Sequence, residues 1–209
     1  MINRLLHPEV QAFIEHQAAD DEQQLLLKHK MLFDLPASLI AWQISGRKKA
    51  KTKIPLYFNT RNIVYPPGIN LEQSSSEETA TFKADVLSEI MPSGNLLVDL
   101  TGGFGIDSLF LSKVFKQLTC VEPNAQLLEY ARHNHHVVGA HNIEHVNATA
   151  ENFVNSFTGQ ADCFFIDPSR RTTSNQKVFR LADGEPDVVG LLPKIFEHTK
   201  NVLVKASPM

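Results

Sequence analysis

A glycine-rich turn between an apolar run and a helix-like run has the residue types and spacing of a ligand site. The turn begins at Asp99 and contains Gly102, Gly103 and Gly105. Glycines let the backbone turn tightly and let a ligand approach the amino end of the following helix. Glu122 follows the next apolar run, where a carboxylate can accept hydrogen bonds from both hydroxyls of a ribose. Turn and acid together predict a site for an adenosine-containing cofactor.

A second group of candidate residues begins at an Asp-Pro pair. Asp167 and Pro168 follow the fourth apolar run, and a stretch of 19 residues with little periodicity runs from Pro168 to Pro186. Unstructured loops of this length are uncommon in compact domains and often bind ligands. The stretch contains four basic residues, which are Arg170, Arg171, Lys177 and Arg180. They predict a local site for a phosphate-rich substrate. The alternative is that the arginines pair with nearby carboxylates.

The elements that must position these residues alternate from residue 95 onward. Apolar runs predict strands over 96–100, 118–122, 143–147, 163–167 and 202–205, and helices over 106–116, 125–138, 151–157 and 187–200. Strands that are apolar almost throughout and are joined by helices predict a parallel sheet covered on both faces. Ligands of such sheets bind at the carboxyl ends of the strands, where the turn, Glu122 and Asp167 all lie.

Residues 1–70 are predicted to form a mainly helical extension with a β-hairpin. Pro8 suits the start of one helix, a second helix is expected over 25–32, and Pro36 suits the start of a third. Alternating apolar residues over 54–65 predict the hairpin. Ser75 with Glu78 predicts the cap of a helix that ends near residue 91, within a ligand-binding domain over 71–209. The apolar positions of the extension need a cover, so the extension is expected to dock on this domain.

Composition limits the class of protein. The chain has 209 residues, of which 43% are hydrophobic and 21% charged, and its net charge of -3 provides no general attraction to nucleic acid. No apolar run reaches the roughly 18 residues of a membrane span, and the amino terminus lacks a signal-peptide pattern. Cys120 and Cys163 lie inside apolar runs, which favours buried free thiols and a cytoplasmic location. The histidines are not spaced to form a metal-binding face, so no metal is expected.

The stretch from Asp99 to Gly105, Asp-Leu-Thr-Gly-Gly-Phe-Gly, resembles the first motif of class I S-adenosylmethionine-dependent methyltransferases. The resemblance implies a Rossmann-like α/β fold with S-adenosyl-L-methionine as cofactor. Residues 142–150 match the third-strand motif, although Thr149 stands where that family often has Asp. Thr149 can still accept a hydrogen bond from the adenine amino group, and Ala150 would offer its N–H to the ring. The cofactor-binding residues implied are Asp99, Thr101, Gly102, Gly103, Gly105, Glu122, Thr149 and Ala150.

Residues 166–171, Ile-Asp-Pro-Ser-Arg-Arg, occupy the place of the fourth motif and are similar to the Asp-Pro-Pro motifs of base methyltransferases. With the basic stretch and residues 205–209, they most resemble a bacterial group of proteins assigned as RNA methyltransferases that carry a THUMP-like C-terminal domain. The resemblance implies an RNA substrate in contact with the four basic residues. It also implies that the THUMP-like part and the last strands of the usual sheet are absent here, so about five strands are expected.

Asp167 and Pro168 are the catalytic residues predicted by this likeness. The Asp167 side chain or the Pro168 carbonyl would accept a hydrogen bond from an attacking amine. Uracil-5 transfer needs a cysteine nucleophile directly after the fifth strand, and this chain has Lys205-Ala206-Ser207-Pro208 there. Direct transfer to a base nitrogen or another heteroatom is therefore favoured.

Besides a cofactor-binding module without catalytic activity, two alternatives remain open. The first is a methyltransferase that acts on a small molecule or a protein. The second is an NAD-dependent dehydrogenase, because residues 103–108 resemble the dinucleotide fingerprint with Ser108 in place of its third glycine. Asp99 disfavours the dehydrogenase, since a carboxylate beside the ligand repels a pyrophosphate.

Overall fold

The structure is a computed structural model that describes residues 2–17, 22–169 and 184–206. The helices within these ranges are α1 (Ile2–Leu5), α2 (Pro8–His16), α3 (Glu22–Lys28), α4 (Ala37–Lys53), α5 (Pro55–Asn59), α6 (Gly68–Gln73), α7 (Glu77–Ile90), α8 (Ile106–Leu111), α9 (Ala125–Val137), α10 (Ala150–Ser156) and α11 (Val188–Ile195). The strands are β1 (Met31–Leu32), β2 (Leu35–Pro36), β3 (Leu96–Asp99), β4 (Gln117–Val121), β5 (Ile143–Val146), β6 (Cys163–Ile166) and β7 (Val202–Val204). No helix in the described ranges is long and apolar enough to cross a membrane.

Five parallel strands form the central sheet in the order β5-β4-β3-β6-β7. All five begin and end within one residue of the predicted positions, so the predicted Rossmann-like α/β fold with about five strands is confirmed. Helices α8 and α11 end earlier than predicted, because tight three-residue turns replace helical hydrogen bonds after Leu111 and Ile195. The middle strand β3 lies between β4 and β6, which brings the carboxyl ends of these three strands together.

The strands are mostly apolar because both faces of the sheet are covered. Leu97 and Phe165 belong to the core on the side of α7, α8 and α9, where the two buried cysteines also lie. Their neighbours Val98 and Phe164 belong to a second core with α10 and α11. The alternation of side chains along the central strands therefore fills two hydrophobic layers, which is why positions on both faces are mainly apolar.

The extension contains the predicted helices, with one change between them. Pro8 is the first residue of α2, as predicted, and α4 begins directly after Pro36. The helix expected over 25–32 is wrong in its second half. Helix α3 ends at Lys28, and β1 then pairs antiparallel with β2 in a small hairpin. Two residues between these strands, Phe33 and Asp34, have positive φ angles of 53° and 58° and form the turn.

The hairpin predicted over 54–65 is wrong, because the first half of this range is helix α5. Ile54 and Tyr57 are three residues apart and both fully buried, whereas Leu56 and Phe58 between and beside them are only partly buried. The burial thus follows a helical spacing, although the apolar residues also alternate in the sequence. Pro55 suits the first position of this short helix.

Val64 and Tyr65 are held by side-chain amides. Gln43 of α4 donates to the Tyr65 carbonyl at 2.8 Å and accepts from its N–H at 2.7 Å. Asn134 of α9 does the same for Val64, with both distances 2.9 Å. Buried backbone groups require such partners, and here two amides supply what a neighbouring strand would supply. The Asn134 contact also joins the extension to a helix of the sheet domain.

The extension and the sheet domain share one hydrophobic core. The Tyr57 ring packs edge-on against Phe104 of the glycine-rich turn, with 5.6 Å between the ring centroids. Buried residues of α2 and α4, such as Val10 and Ile40, belong to the same cluster as Leu97 of β3. These contacts place a face of the extension directly behind the turn.

Candidate functional site

Asp99 ends β3 and shapes the glycine-rich turn. Its carboxylate is fully buried and accepts hydrogen bonds from the Thr101 N–H at 2.9 Å and from the Ser108 hydroxyl at 2.6 Å. Burial raises the pKa of Asp99 to about 7, although these hydrogen bonds oppose the rise. Asp99 therefore orders the backbone that a ligand would meet, and its contact with a ligand stays a prediction.

Two glycines of the turn have neighbours that leave no room for a side chain. A Cβ on Gly102 would lie 2.5 Å from Cys120 Sγ, because the Gly102 N–H donates to the Val121 carbonyl of β4 at 2.8 Å. Gly105 has a φ of 81°, and a Cβ there would lie 2.6 Å from His135 Nε2. Both glycines are required for packing of the turn against β4 and α9, whether or not a ligand is bound.

Two histidines support the turn from α9 and β5. The Nε2–H of His135 donates to the Gly105 carbonyl at 2.8 Å, and its Nδ1 lies 2.9 Å from His145 Nε2. Burial lowers the pKa of both histidines to about 4, so both are neutral near pH 7. Across the described ranges, no group of three His, Cys, Asp or Glu side chains is arranged to hold a metal ion.

Glu122 follows β4 and lies against the turn. One carboxylate oxygen accepts a hydrogen bond from the Gly103 N–H at 2.9 Å, and the other accepts one from the Asn124 N–H at 2.8 Å. Burial raises the pKa of Glu122, while the two hydrogen bonds lower it. A carboxylate has about four lone-pair positions, so these two bonds leave acceptor capacity for hydroxyl groups of a ligand.

Residues after β5 complete this side of the site. Asn147, which the sequence did not predict, donates at 2.8 Å to the carbonyl of Glu122 and at 2.9 Å to the next carbonyl. Thr149 caps α10 by accepting from the Asn152 N–H at 3.2 Å. Ala150 is the first residue of that helix, so its N–H has no acceptor within the helix. The roles of Thr149 and Ala150 toward adenine stay predictions.

Asp167 follows β6 and contacts the elements on both sides. Its N–H donates to the Thr101 hydroxyl at 2.7 Å, and its carboxylate forms an ion pair with Lys205 Nζ at 2.7 Å. Burial raises the pKa of Asp167, and Lys205 lowers it. The structure thus brings the glycine-rich turn and the predicted catalytic Asp167 together. It also places Lys205 next to Asp167, although the sequence did not indicate Lys205 as a site residue.

A buried polar cluster adjoins this ion pair. The Ser75 hydroxyl donates to Asp107 at 2.8 Å and accepts from Lys83 Nζ at 2.9 Å and from Lys205 Nζ at 3.4 Å. Lys83 and Asp107 also form an ion pair, and they are only 7% and 8% exposed. The cluster joins α7, α8 and the end of β7 at the carboxyl edge of the sheet.

The predicted role of Ser75 as a helix cap is wrong. The cap of α7 is Ser76, whose hydroxyl accepts from the Thr79 N–H at 3.2 Å. Ser75 is buried and contributes its hydroxyl to the cluster. One feature of the sequence could have indicated this cluster. Lys83 lies at helical spacing on the buried face of α7, among Ala80, Ala84 and Leu87, and a charged residue on such a face needs polar partners.

The predicted substrate-binding residues Arg170, Arg171, Lys177 and Arg180 lie outside the described residues. The described residues on either side of them are in contact. The Ser169 N–H donates to the Glu185 carbonyl at 2.8 Å, and the Glu185 N–H donates to the Ser169 carbonyl at 3.4 Å. The described residues that flank the basic stretch therefore meet next to Asp167 and the half-buried Pro168.

Comparison with known proteins supports the fold assignment. A crystal structure of a protein assigned as a methyltransferase, from Porphyromonas gingivalis W83, matches 99% of this chain with a TM-score of 0.78 and 26% sequence identity. The chain has the class I methyltransferase fold. An uncharacterized RNA methyltransferase from Mycoplasma mobile (strain ATCC 43663 / 163K / NCTC 11711) is 26% identical over 129 residues, which are 62% of this chain. No protein-family model matches the chain.

The similarity confirms the resemblance to methyltransferases on which the site residues were predicted. The chain spans 50% of the length of the Porphyromonas protein and 35% of the length of the Mycoplasma protein. The activity and the substrate of the chain are therefore argued below from its own residues.

Proposed function

We propose that this chain binds S-adenosylmethionine and transfers its methyl group to a nitrogen or another heteroatom of RNA. One observation carries the proposal: the glycine-rich turn is hydrogen-bonded on one side to Glu122 and on the other to Asp167. A cofactor held on the turn, with its ribose near Glu122, would therefore have its sulfonium and methionine part on the side of the turn that Asp167 contacts.

The residues at the strand ends fit the cofactor. Glu122 retains acceptor capacity for the ribose hydroxyls. A Cβ on Gly103 would meet only the Thr101 carbonyl, at 3.8 Å, so the backbone there is open to a ligand, in contrast to Gly102 and Gly105. The backbone of 101–105 would hold the methionine part, and Thr149 with Ala150 would contact the adenine.

Asp167 is proposed to orient the methyl acceptor. When bound, the cofactor supplies a methyl group activated by its sulfonium. The Asp167 carboxylate would accept a hydrogen bond from the attacking amine or hydroxyl, while Thr101 and Lys205 fix its backbone and its side chain. Orientation of this kind can contribute roughly 7–11 kcal/mol to lowering the barrier.

RNA is proposed as the substrate on two grounds. The Mycoplasma relative is named an RNA methyltransferase. The stretch between Ser169 and Glu185, two residues that are in contact next to Asp167, contains four basic residues on a chain with a net charge of -3, so affinity for a polyanion would be local.

Two measurements test the proposal. Calorimetry should show binding of S-adenosylmethionine and S-adenosylhomocysteine and none of NAD; binding of NAD alone would support a dehydrogenase. Incubation with methyl-labelled S-adenosylmethionine and a cell extract should give label that ribonuclease releases. Label that protease releases, or that appears in a small-molecule product other than S-adenosylmethionine, would support the alternative methyltransferase classes.

A further inference from the structure

Lys205 connects three parts of the site. Its N–H donates to the Ile166 carbonyl at 2.9 Å, which aligns the chain after β7 with the end of β6. Its Nζ lies 2.7 Å from an Asp167 carboxylate oxygen and 3.4 Å from the Ser75 hydroxyl. The ammonium group is therefore fixed at two points, whereas a lysine on an open surface keeps its rotamer freedom.

The Ser75 hydroxyl has no capacity for a further protein partner. It donates once, to Asp107, and accepts twice, from Lys83 and Lys205, which is the full capacity of a hydroxyl group. Because Lys83 and Asp107 are themselves buried and paired, they hold Ser75 rigidly. The position of Lys205 is thus determined by α7 and α8 as well as by its own strand.

We propose that Lys205 is a positioning residue for methyl transfer, which holds the Asp167 carboxylate ionised and oriented toward the acceptor. This inference rests on the proposed function. It assigns Lys205 an action through Asp167 and no contact with the methyl group.

The charges around Asp167 explain why Lys205 decides its ionisation. Among the residues that the structure describes, three charged groups face Asp167: Lys205 after β7, Lys83 of α7 and Asp107 of α8. Lys83 lowers the pKa of Asp167 and Asp107 raises it, and these two are paired with each other. Burial raises the pKa of Asp167, so the direct ion pair with Lys205 is the main opposing effect. Without Lys205, the carboxyl would keep its proton to a higher pH and would accept hydrogen bonds less well.

The experiment compares Lys205→Met and Lys205→Arg with the wild type. Lys116→Met is the matched control. Lys116 is an exposed lysine directly before β4, at the amino ends of the strands, whereas Asp167 lies at their carboxyl ends. Carbon-13 NMR of the side-chain carboxyls gives the titration of Asp167, assigned with Asp167→Asn. The midpoint should rise by about one pH unit or more in Lys205→Met and stay unchanged in Lys205→Arg and Lys116→Met. Circular dichroism and S-adenosylmethionine affinity check that each variant folds.

The pH profile of methyl transfer separates positioning from a purely structural role. The acid limb of the profile should shift to higher pH in Lys205→Met, together with the Asp167 titration. In Lys205→Arg the limb should lie at the same pH as in the wild type. An unchanged Asp167 midpoint in Lys205→Met would overturn the proposal, as would a midpoint that moves while the transfer profile does not. Because NMR needs no methyl acceptor, a shifted midpoint with no transfer by the wild type would instead contradict the proposed function.

Discussion

The hydroxyl of Thr101 accepts a hydrogen bond from the backbone N–H of Asp167 at 2.7 Å. It joins the turn after β3 directly to the residue after β6, across neighbouring strands. The same hydroxyl lies 3.4 Å from the Asp99 carboxylate, which shapes the turn. One side chain thereby links the predicted cofactor turn to the predicted transfer site.

Thr101→Val should separate cofactor binding from transfer. Valine keeps the shape of threonine but leaves the Asp167 N–H without its acceptor, which costs roughly 1–3 kcal/mol. We expect methyl transfer to fall about tenfold or more, whereas S-adenosylmethionine affinity, which would depend on the turn backbone, changes less. Thr101→Ser keeps the hydroxyl and should retain most of the activity. An equal loss of affinity and transfer in Thr101→Val would contradict this separation.

Glu122→Ala should weaken S-adenosylmethionine binding by roughly 1–3 kcal/mol, because hydrogen bonds to the ribose would be lost. The variant also removes the acceptor of the Gly103 N–H, so part of the loss would come from the turn. Calorimetry measures the change, and Glu129→Ala, which removes an exposed acid from α9, serves as the matched control. Unchanged affinity in Glu122→Ala would show that this acid does not bind the ribose.

Asp99→Asn should change how stability depends on pH. The pKa of Asp99 is raised from 3.8 to about 7 by burial, so between these values the folded state holds a proton that the unfolded state releases. Stability from this group is present at low pH and is lost as pH rises through about 7, with a total of up to about 4 kcal/mol. Asparagine is neutral throughout and should abolish this contribution.

Urea unfolding of the wild type and Asp99→Asn at pH 5 and pH 8 measures the effect. The difference between the two proteins isolates Asp99 from His135 and His145, whose lowered pKa values give a loss of stability as pH falls toward 4. Parallel changes in both proteins would show that the Asp99 carboxyl is ionised across this range.

The strands of the sheet could be predicted because the composition of each strand reflects its burial. Strands covered on both faces are apolar at most positions, and the residues at or directly after the carboxyl end of each strand lie at the ligand edge. Asp99, Glu122 and Asp167 were found in this way. The hairpin prediction for residues 54–65 is wrong because the apolar residues there fit both a period of two and a helical spacing. The packing of Tyr57 against Phe104 favours the helix.

The cluster around Ser75 could not be predicted, because its partners are far apart in the sequence. Ser75 contacts Asp107 and Lys205, which follow it by 32 and 130 residues. A serine beside a helix start is commonly a cap, and a lysine after a strand is commonly solvated. Only the packing of α7 against α8, next to the end of β7, brings these side chains together.

Replacement of Arg170 and Arg171 by alanine should weaken RNA binding and reduce its dependence on salt. Each phosphate contact releases counterions, which contributes about 0.7 to the log–log slope of affinity against salt for a single strand. Loss of both arginines should lower the slope by about 0.7 for each contact they make. Cofactor affinity should be nearly unchanged, because the turn and Glu122 are intact.

Fluorescence anisotropy with a labelled RNA, measured over a series of salt concentrations, tests this expectation. A double variant of Lys113 and Lys116 to alanine is the control, since it removes the same number of positive charges, here two exposed lysines from the segment between α8 and β4, away from Asp167. A net-acidic chain offers RNA no general attraction, so the control should keep the wild-type slope. If Arg170 and Arg171 could be replaced with no change in affinity or slope, these arginines would pair with carboxylates of the chain, and RNA would lose its main physical support as the substrate.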